Sequence, residues 1–129
     1  MSNYKPRIES NNLDLTSILS TINELPDAGD AAGVCTITIT GMPFYSLVYQ
    51  DAGGIWQYPM AINSTPYTFE TLCGSCFCAF GFQTTWGVYC DSVPDGFMIS
   101  GEALMDQFAL FAKVSPIPGS YTITVYEDD

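Results

Sequence analysis

Apolar and polar positions alternate along this chain with two different periods, and the period changes near residue 30. Between Asn11 and Gly29, in NNLDLTSILSTINELPDAG, the side chains of Leu15, Ile18, Ile22 and Leu25 recur every three or four residues. Leu19 widens the stripe, and Ile8 stands one heptad ahead of Leu15. This spacing predicts an amphipathic α-helix with marked ends. Asn11 or Asn12 can cap its N-terminus, and the Asp14 carboxylate falls in the first turn, where it meets the positive end of the helix dipole. Pro26 stops the helix after Leu25, and Asp27, Ala28 and Gly29 favour a turn. A helix of about a dozen residues is marginal alone in water, so its stripe needs a partner. Two partners suit it: the β-part of the same chain, or copies of itself in a short bundle seamed by β-branched and leucine side chains.

From Val34 the period becomes two. Cys35, Ile37 and Ile39 alternate with Thr36, Thr38 and Thr40 until Gly41 and Pro43 end the run, which reads as a half-buried strand. Residues 44–50 make a second strand, joined by a hairpin turn at Asp51-Ala52-Gly53-Gly54 to a third at 55–60, where Trp56, Tyr58 and Met60 share a face. Strands follow at 66–72, at 76–82 and at 86–90, the second of these uncharged and apolar enough to be buried on both faces. Ser100 to Asp106 has the composition of one helical turn, 108–114 suits a helix or a strand with strand favoured by the turn that follows it, and 121–126 alternates like the first strand. Short strands separated by frequent turns indicate an antiparallel sandwich or barrel. Before the helix, Met1 to Ser10 reads as a short polar, extended arm, and the small residues of DAGDAAG, 27–33, read as a linker.

Composition narrows the function. Aromatic residues at 14% outnumber charged residues at 13%, which excludes a disordered chain and predicts a packed core in a single domain of 129 residues. Fourteen acidic against three basic residues (Lys5, Arg7 and Lys113) give a net charge of −11, which repels a phosphate backbone and argues against a nucleic-acid partner. No stretch reaches the roughly 20 apolar residues of a membrane span, and residues 1–30 hold no signal-peptide core, so synthesis in the cytoplasm is expected. On that expectation the five cysteines (Cys35, Cys73, Cys76, Cys78, Cys90) are reduced.

Catalysis finds little to work with. The chain has no histidine, which removes the commonest general base and every Ser-His or Cys-His arrangement. Glu70, Asp91, Asp95, Glu102 and Asp106 would have to meet at one end of the sheets to give paired-carboxylate hydrolysis, and surface acids placed by turns and solubility are the simpler reading. Cys73-Gly74-Ser75-Cys76-Phe77-Cys78 joins CxxC to CxC, and Cys35 or Cys90 would complete a zinc tetrahedron. Against zinc, Cys76 and Cys78 lie in an apolar strand, where free cysteine behaves as a small hydrophobe; a disulfide is the remaining alternative. The glycines never assemble into a phosphate-binding pattern. Trp56, Tyr58, Trp86 and Tyr89 would make a sugar-binding platform if they faced outward, whereas alternate strand positions favour the core.

One stretch carries a resemblance. KPRIESNNLDLTSILSTINELPDAG, followed by a small-residue linker and CTITIT, resembles the start of small structural proteins encoded by phages and prophages of gut Firmicutes. In these a segment of the form NN-x-DL-x-x-IL-x-x-IN-x-LP-x-AG precedes variable β-domains. Asn11, Asn12, Asp14, Leu15, Ile18, Leu19, Ile22, Asn23, Leu25, Pro26, Ala28 and Gly29 match that form, and Leu72-Cys73-Gly74-Ser75 is similar to the β-part of such proteins. The resemblance implies a virion component of a tail fibre, baseplate or head surface, made in the host cytoplasm, and it implies no catalytic residue.

The combined expectation is mainly β: an antiparallel β-sandwich, Ig-like or jelly-roll-like, with seven or eight strands, preceded by one N-terminal α-helix. Residues 1–29 form the arm and helix, 30–33 a linker and 34–129 the sandwich. Ile8, Leu15, Ile18, Leu19, Ile22 and Leu25 form the attachment or oligomerisation face, toward copies of the chain, a trimer among them, and toward other virion proteins. Trp56, Tyr58 and Trp86 are the candidate platform for a host-surface glycan. No enzyme activity, cofactor, metal, nucleic acid or membrane is expected.

Overall fold

A strand that alternates apolar and polar side chains can bury one face only, so it needs a second layer; a strand apolar throughout needs cover on both sides. Both kinds are present. The computed structural model describes residues 33–104 and 107–128, and over these the chain is mainly β, in two sheets. Its strands are β1 (Val34–Gly41), β2 (Ser46–Gln50), β3 (Trp56–Gln57), β4 (Tyr67–Leu72), β5 (Cys76–Phe82), β6 (Val88–Cys90), β7 (Met98–Leu104), β8 (Gln107–Lys113) and β9 (Gly119–Glu127). One sheet has the order β4-β1-β9-β6 and the other β3-β2-β5-β8-β7.

The two sheets share one core. Cys35, Ile37 and Ile39 of β1, Phe69 of β4, Val88 and Cys90 of β6, and Ile123 and Val125 of β9 meet Leu47, Phe77, Ala79, Ile99, Leu110 and Ala112 of the larger sheet. Phe69 and Phe77 join the layers edge to face, with ring centroids 5.2 Å apart. The threonines of β1 point away from this core, where the Thr38 and Thr68 hydroxyls bond across the β1–β4 pair at 3.0 Å. In β5 all seven side chains are buried. Phe77 and Ala79 face the shared core, while Cys76, Cys78 and Phe80 join Val48, Ala109 and Phe111 in a second cluster on the other side of the sheet.

Two glycines place this strand. At Gly74, φ is +76°, and the Gly74-Ser75 turn carries the chain from β4 in one sheet to β5 in the other, held by Ser75 N–H on Leu72 O and Gly74 N–H on Ser115 O. At Gly81, φ is +90°, and the β5–β8 register shifts between Phe80 and Phe82. This bulge reverses the alternation and turns Phe82 inward against Phe44, with ring centroids 5.5 Å apart.

The structure revises several expectations. Ser100 to Leu104 belongs to β7 and forms no helical turn, because each residue from Met98 to Leu104 pairs with β8; its intrinsic preference yields to the ladder. There are nine strands among the described residues, and β1 lies parallel to β9, so the sheets are antiparallel except at that pair. β3 is shorter than 55–60, since only Trp56 and Gln57 pair with β2; Pro59 lacks an N–H and contributes its carbonyl to Leu47 N–H. The arm and helix of 1–29 lie outside the described residues.

Asp51 builds the β2–β3 turn almost alone. Its Oδ1 accepts the N–H groups of Gly53 and Ile55, each at 2.9 Å, its Oδ2 accepts Gln57 Nε2 at 2.9 Å, and its backbone closes the turn with Gly54 and Ile55. The Ile55 amide, the Gln57 amide and the Gly53 amide together hold the Asp51 carboxyl below its usual range. A lowered carboxyl stabilises the fold above its unfolded-state pKa and loses that contribution as pH falls through the folded value. Asp51→Ala is therefore expected to unfold at lower urea than wild type at neutral pH, with the gap closing as pH falls below the ordinary carboxylate range. Gly81→Ala brings a Cβ onto the Cβ and backbone nitrogen of Tyr45 in a left-handed conformation, and a loss of at least about 1–2 kcal/mol is expected by equilibrium unfolding.

Candidate functional site

The sandwich has two unlike ends. At one end the chain enters at Gly33, whose carbonyl accepts the N–H of Cys73 and which lies against Pro118. The Gly74-Ser75 turn and the segment from Ser115 to Pro118 sit at the same end. Eight residues of β1 run from there to Gly41. The opposite end holds an open groove of about 790 Å³.

Three connections and two strand ends build this groove. Met42, Pro43, Phe44 and Tyr45 come from the link between β1 and β2, Asn63 from the link between β3 and β4, Gly81 to Thr85 from the end of β5 and beyond, and Gln107 and Glu127 from the ends of β8 and β9. Phe44 and Phe82 are core residues that form its floor. Asn63 adopts φ +56°, which asparagine tolerates, and donates its N–H to Phe44 O at 2.8 Å. Thr84 fixes the far wall: its hydroxyl donates to Glu127 Oε2 at 2.6 Å and accepts the Trp86 N–H at 3.3 Å.

Amides, hydroxyls, one carboxylate and the half-exposed Tyr45 ring therefore converge on this space. Such groups recognise polar ligands by hydrogen bonding, and the Thr84 hydroxyl and Glu127 carboxylate are bonded to each other on one wall. Among the described residues, the acids considered for catalysis are divided among β4, β7 and the β6–β7 connection. Glu70 alternates onto the outer side of β4, Glu102 lies on the outer side of β7 bonded to Ser100 at 2.9 Å, and Asp91 and Asp95 lie between β6 and β7. Asp106 is outside the described residues. A shallower hollow of about 530 Å³ brings Asp51 and Glu70 to one surface, but the Asp51 oxygens are already committed to the hairpin turn.

The aromatic platform is only partly assembled. Trp56 (37% exposed) and Tyr58 (39%) lie on the outer side of the larger sheet, where Tyr58 stacks on Phe80 at 5.9 Å, and Trp86 (66%) projects from the β5–β6 connection. Their expected burial in the core is thus corrected for all three, because β3 is an edge strand and Trp86 precedes its strand. Among the described residues no ring contact joins Trp86 to the other two. The cysteines are all buried and lie in two clusters: Cys35, Cys73 and Cys90 face the shared core, Cys76 and Cys78 the outer cluster. Burial raises Cys78 well above the usual thiol range and Cys90 to about 12. No group of three metal-ligating side chains forms among the described residues.

Sequence reasoning did not anticipate the groove, because its polar residues are scattered from Asn63 to Glu127. The one signal was the polar triplet Gln83-Thr84-Thr85 directly after the apolar β5 run. The attachment residues Ile8, Leu15, Ile18, Leu19, Ile22 and Leu25 lie outside the described residues. No helix among the described residues is long and apolar enough to cross a membrane. No protein-family model, curated protein or solved structure matches this chain.

Proposed function

We propose that this chain is a non-enzymatic structural protein of a bacteriophage virion, attached or oligomerised through its N-terminal segment and presenting its two-sheet domain on a tail fibre, baseplate or head surface. The observation that carries the reading is the placement of the two ends. The N-terminal segment joins the fold at Gly33, while the groove and its surrounding loops lie at the far end of β1. A domain held at the first end presents the second. The resemblance of residues 5–29 to phage structural proteins and the amphipathic stripe in that segment support the same reading. With Ile18→Asp and Ile22→Asp combined in the full-length chain, we expect a trimer or larger assembly to fall to monomer by native mass spectrometry, and incorporation into particles to be lost. Normal assembly of this variant would remove the helix from the attachment role.

The groove favours a second reading, in which the displayed end binds a host-surface glycan. Its amide and hydroxyl lining matches the hydrogen-bonding demand of a polyhydroxylated ligand, and Tyr45 supplies a ring to stack on a sugar face. On a glycan array, full-length protein should show a bound subset, with Gln83→Ala and Gln107→Ala each weakening it about tenfold, the scale of one lost hydrogen bond. Silence across a broad array would leave the structural role alone.

A further inference from the structure

We propose that Cys35 and Cys73 are a disulfide-forming pair, a modification site that ties β1 to β4 at the end of the sandwich where the chain enters. Their sulfurs lie 2.9 Å apart, inside the van der Waals contact of two sulfur atoms. A disulfide bond is about 2.05 Å long, so closing the pair takes about 0.9 Å of side-chain movement. The backbone around them is fixed by the β1–β4 ladder from Val34↔Leu72 to Ile39↔Tyr67 and by the Cys73 N–H bond to Gly33 O. In that register Cys35 stands opposite Thr71, and Cys73, one residue past the end of β4, lies diagonal to Cys35 with its sulfur within reach.

Both residues are buried in the shared core, at 0% and 3% exposure. Two thiols in contact can satisfy each other only weakly; Cys35 has the Ser115 and Ile117 carbonyls as other acceptors, at 3.6 and 3.4 Å. Burial, then the adjacent Cys73 sulfur, raises the Cys35 thiol to about 12, so Cys35 stays protonated near neutral pH in the folded protein. Oxidation accordingly takes place when this end opens or during folding, and the finished bond is shielded. Cover is thin there: Gly33 is exposed and the exposed Ile117 stands two residues from Ser115.

The oxidant is a low-molecular-weight disulfide, of the kind met when a protein leaves a reducing cytoplasm. One cysteine, as thiolate, attacks a sulfur of that disulfide, forming a mixed disulfide and expelling one small thiolate. The second cysteine thiolate attacks the protein-side sulfur, the Cys35–Cys73 bond forms, and the second small thiolate leaves. The pair loses two electrons and two protons, and the co-reactant takes them up as two thiols. Cys76 and Cys78 cannot replace either partner, since they face the opposite side of the larger sheet, and Cys90 has no sulfur partner among the described residues. On the assembly reading above, the bond would lie two residues from the point where load from the N-terminal segment enters the fold; its existence does not depend on that reading.

The test is to unfold the full-length protein and refold it in a mixture of oxidised and reduced glutathione, so that access to the pair is not limiting. The expected product has lost two hydrogens in intact mass, titrates three thiols in denaturant where the reduced chain titrates five, and yields a Cys35–Cys73 linked peptide. Its Tm should exceed that of the dithiothreitol-treated protein by several degrees, because the bond closes a loop between residues separated by 38 positions. Cys35→Ala and Cys73→Ala should each abolish the linked peptide and the Tm difference, while Cys90→Ala keeps both. Five free thiols, a persistent glutathione adduct or a different cysteine pair in the refolded wild-type protein would overturn the assignment.

Discussion

The fold depends on the burial of one strand from both sides. β5 contributes Phe77, Ala79 and Phe82 to the core between the sheets and Cys76, Cys78 and Phe80 to the cluster behind the larger sheet. Only small or adaptable side chains allow neighbouring strands to close over both faces, which explains why alanine and cysteine alternate with phenylalanine here. The strand must also arrive from the other sheet and finish with its last phenylalanine inward. Gly74 and Gly81 supply the two positive-φ positions that these changes of direction require.

The parallel pairing of β1 with β9 sets the remaining architecture. It brings the first and last strands together in the centre of the smaller sheet, so that β4 and β6 become its edges. This arrangement also aligns the two ends of the sandwich. Gly33, Cys73, Gly74 and Ser115 to Pro118 gather at one, and Gly41, Phe82, Gln107 and Glu127 at the other. Chemical character follows: the first end is closed by thiols, glycines and prolines, while the second is open and polar.

Cysteine and acid content have local explanations. The cysteines lie in two separate clusters, and the CxxC-CxC spacing is divided by a turn between sheets, which removes the geometry a shared metal would need. Of the acids, Asp51 closes a turn and Glu127 holds the β5–β6 connection through Thr84. Among the described residues, these carboxylates therefore have structural roles.

The sequence by itself determined the class of the fold and most of its strands. Alternation in Val34 to Thr40 and in Tyr121 to Tyr126, the hairpin chemistry of Asp51 to Gly54 and the apolar run of Cys76 to Phe82 are local signals, written by side-chain period and turn residues within a few positions of one another. Ser100 to Leu104 was misread because its extended conformation comes from pairing with β8, a partner that composition does not announce. Only the tertiary structure decided what depends on distant residues: the parallel β1–β9 pair, the exposure of Trp56 on an edge strand and of Tyr58 just past it, the groove assembled from Met42 to Glu127, and the meeting of Cys35 with Cys73. Each is a contact between segments far apart in the chain, fixed by strand register, and register is a property of the closed sheets that no single segment carries.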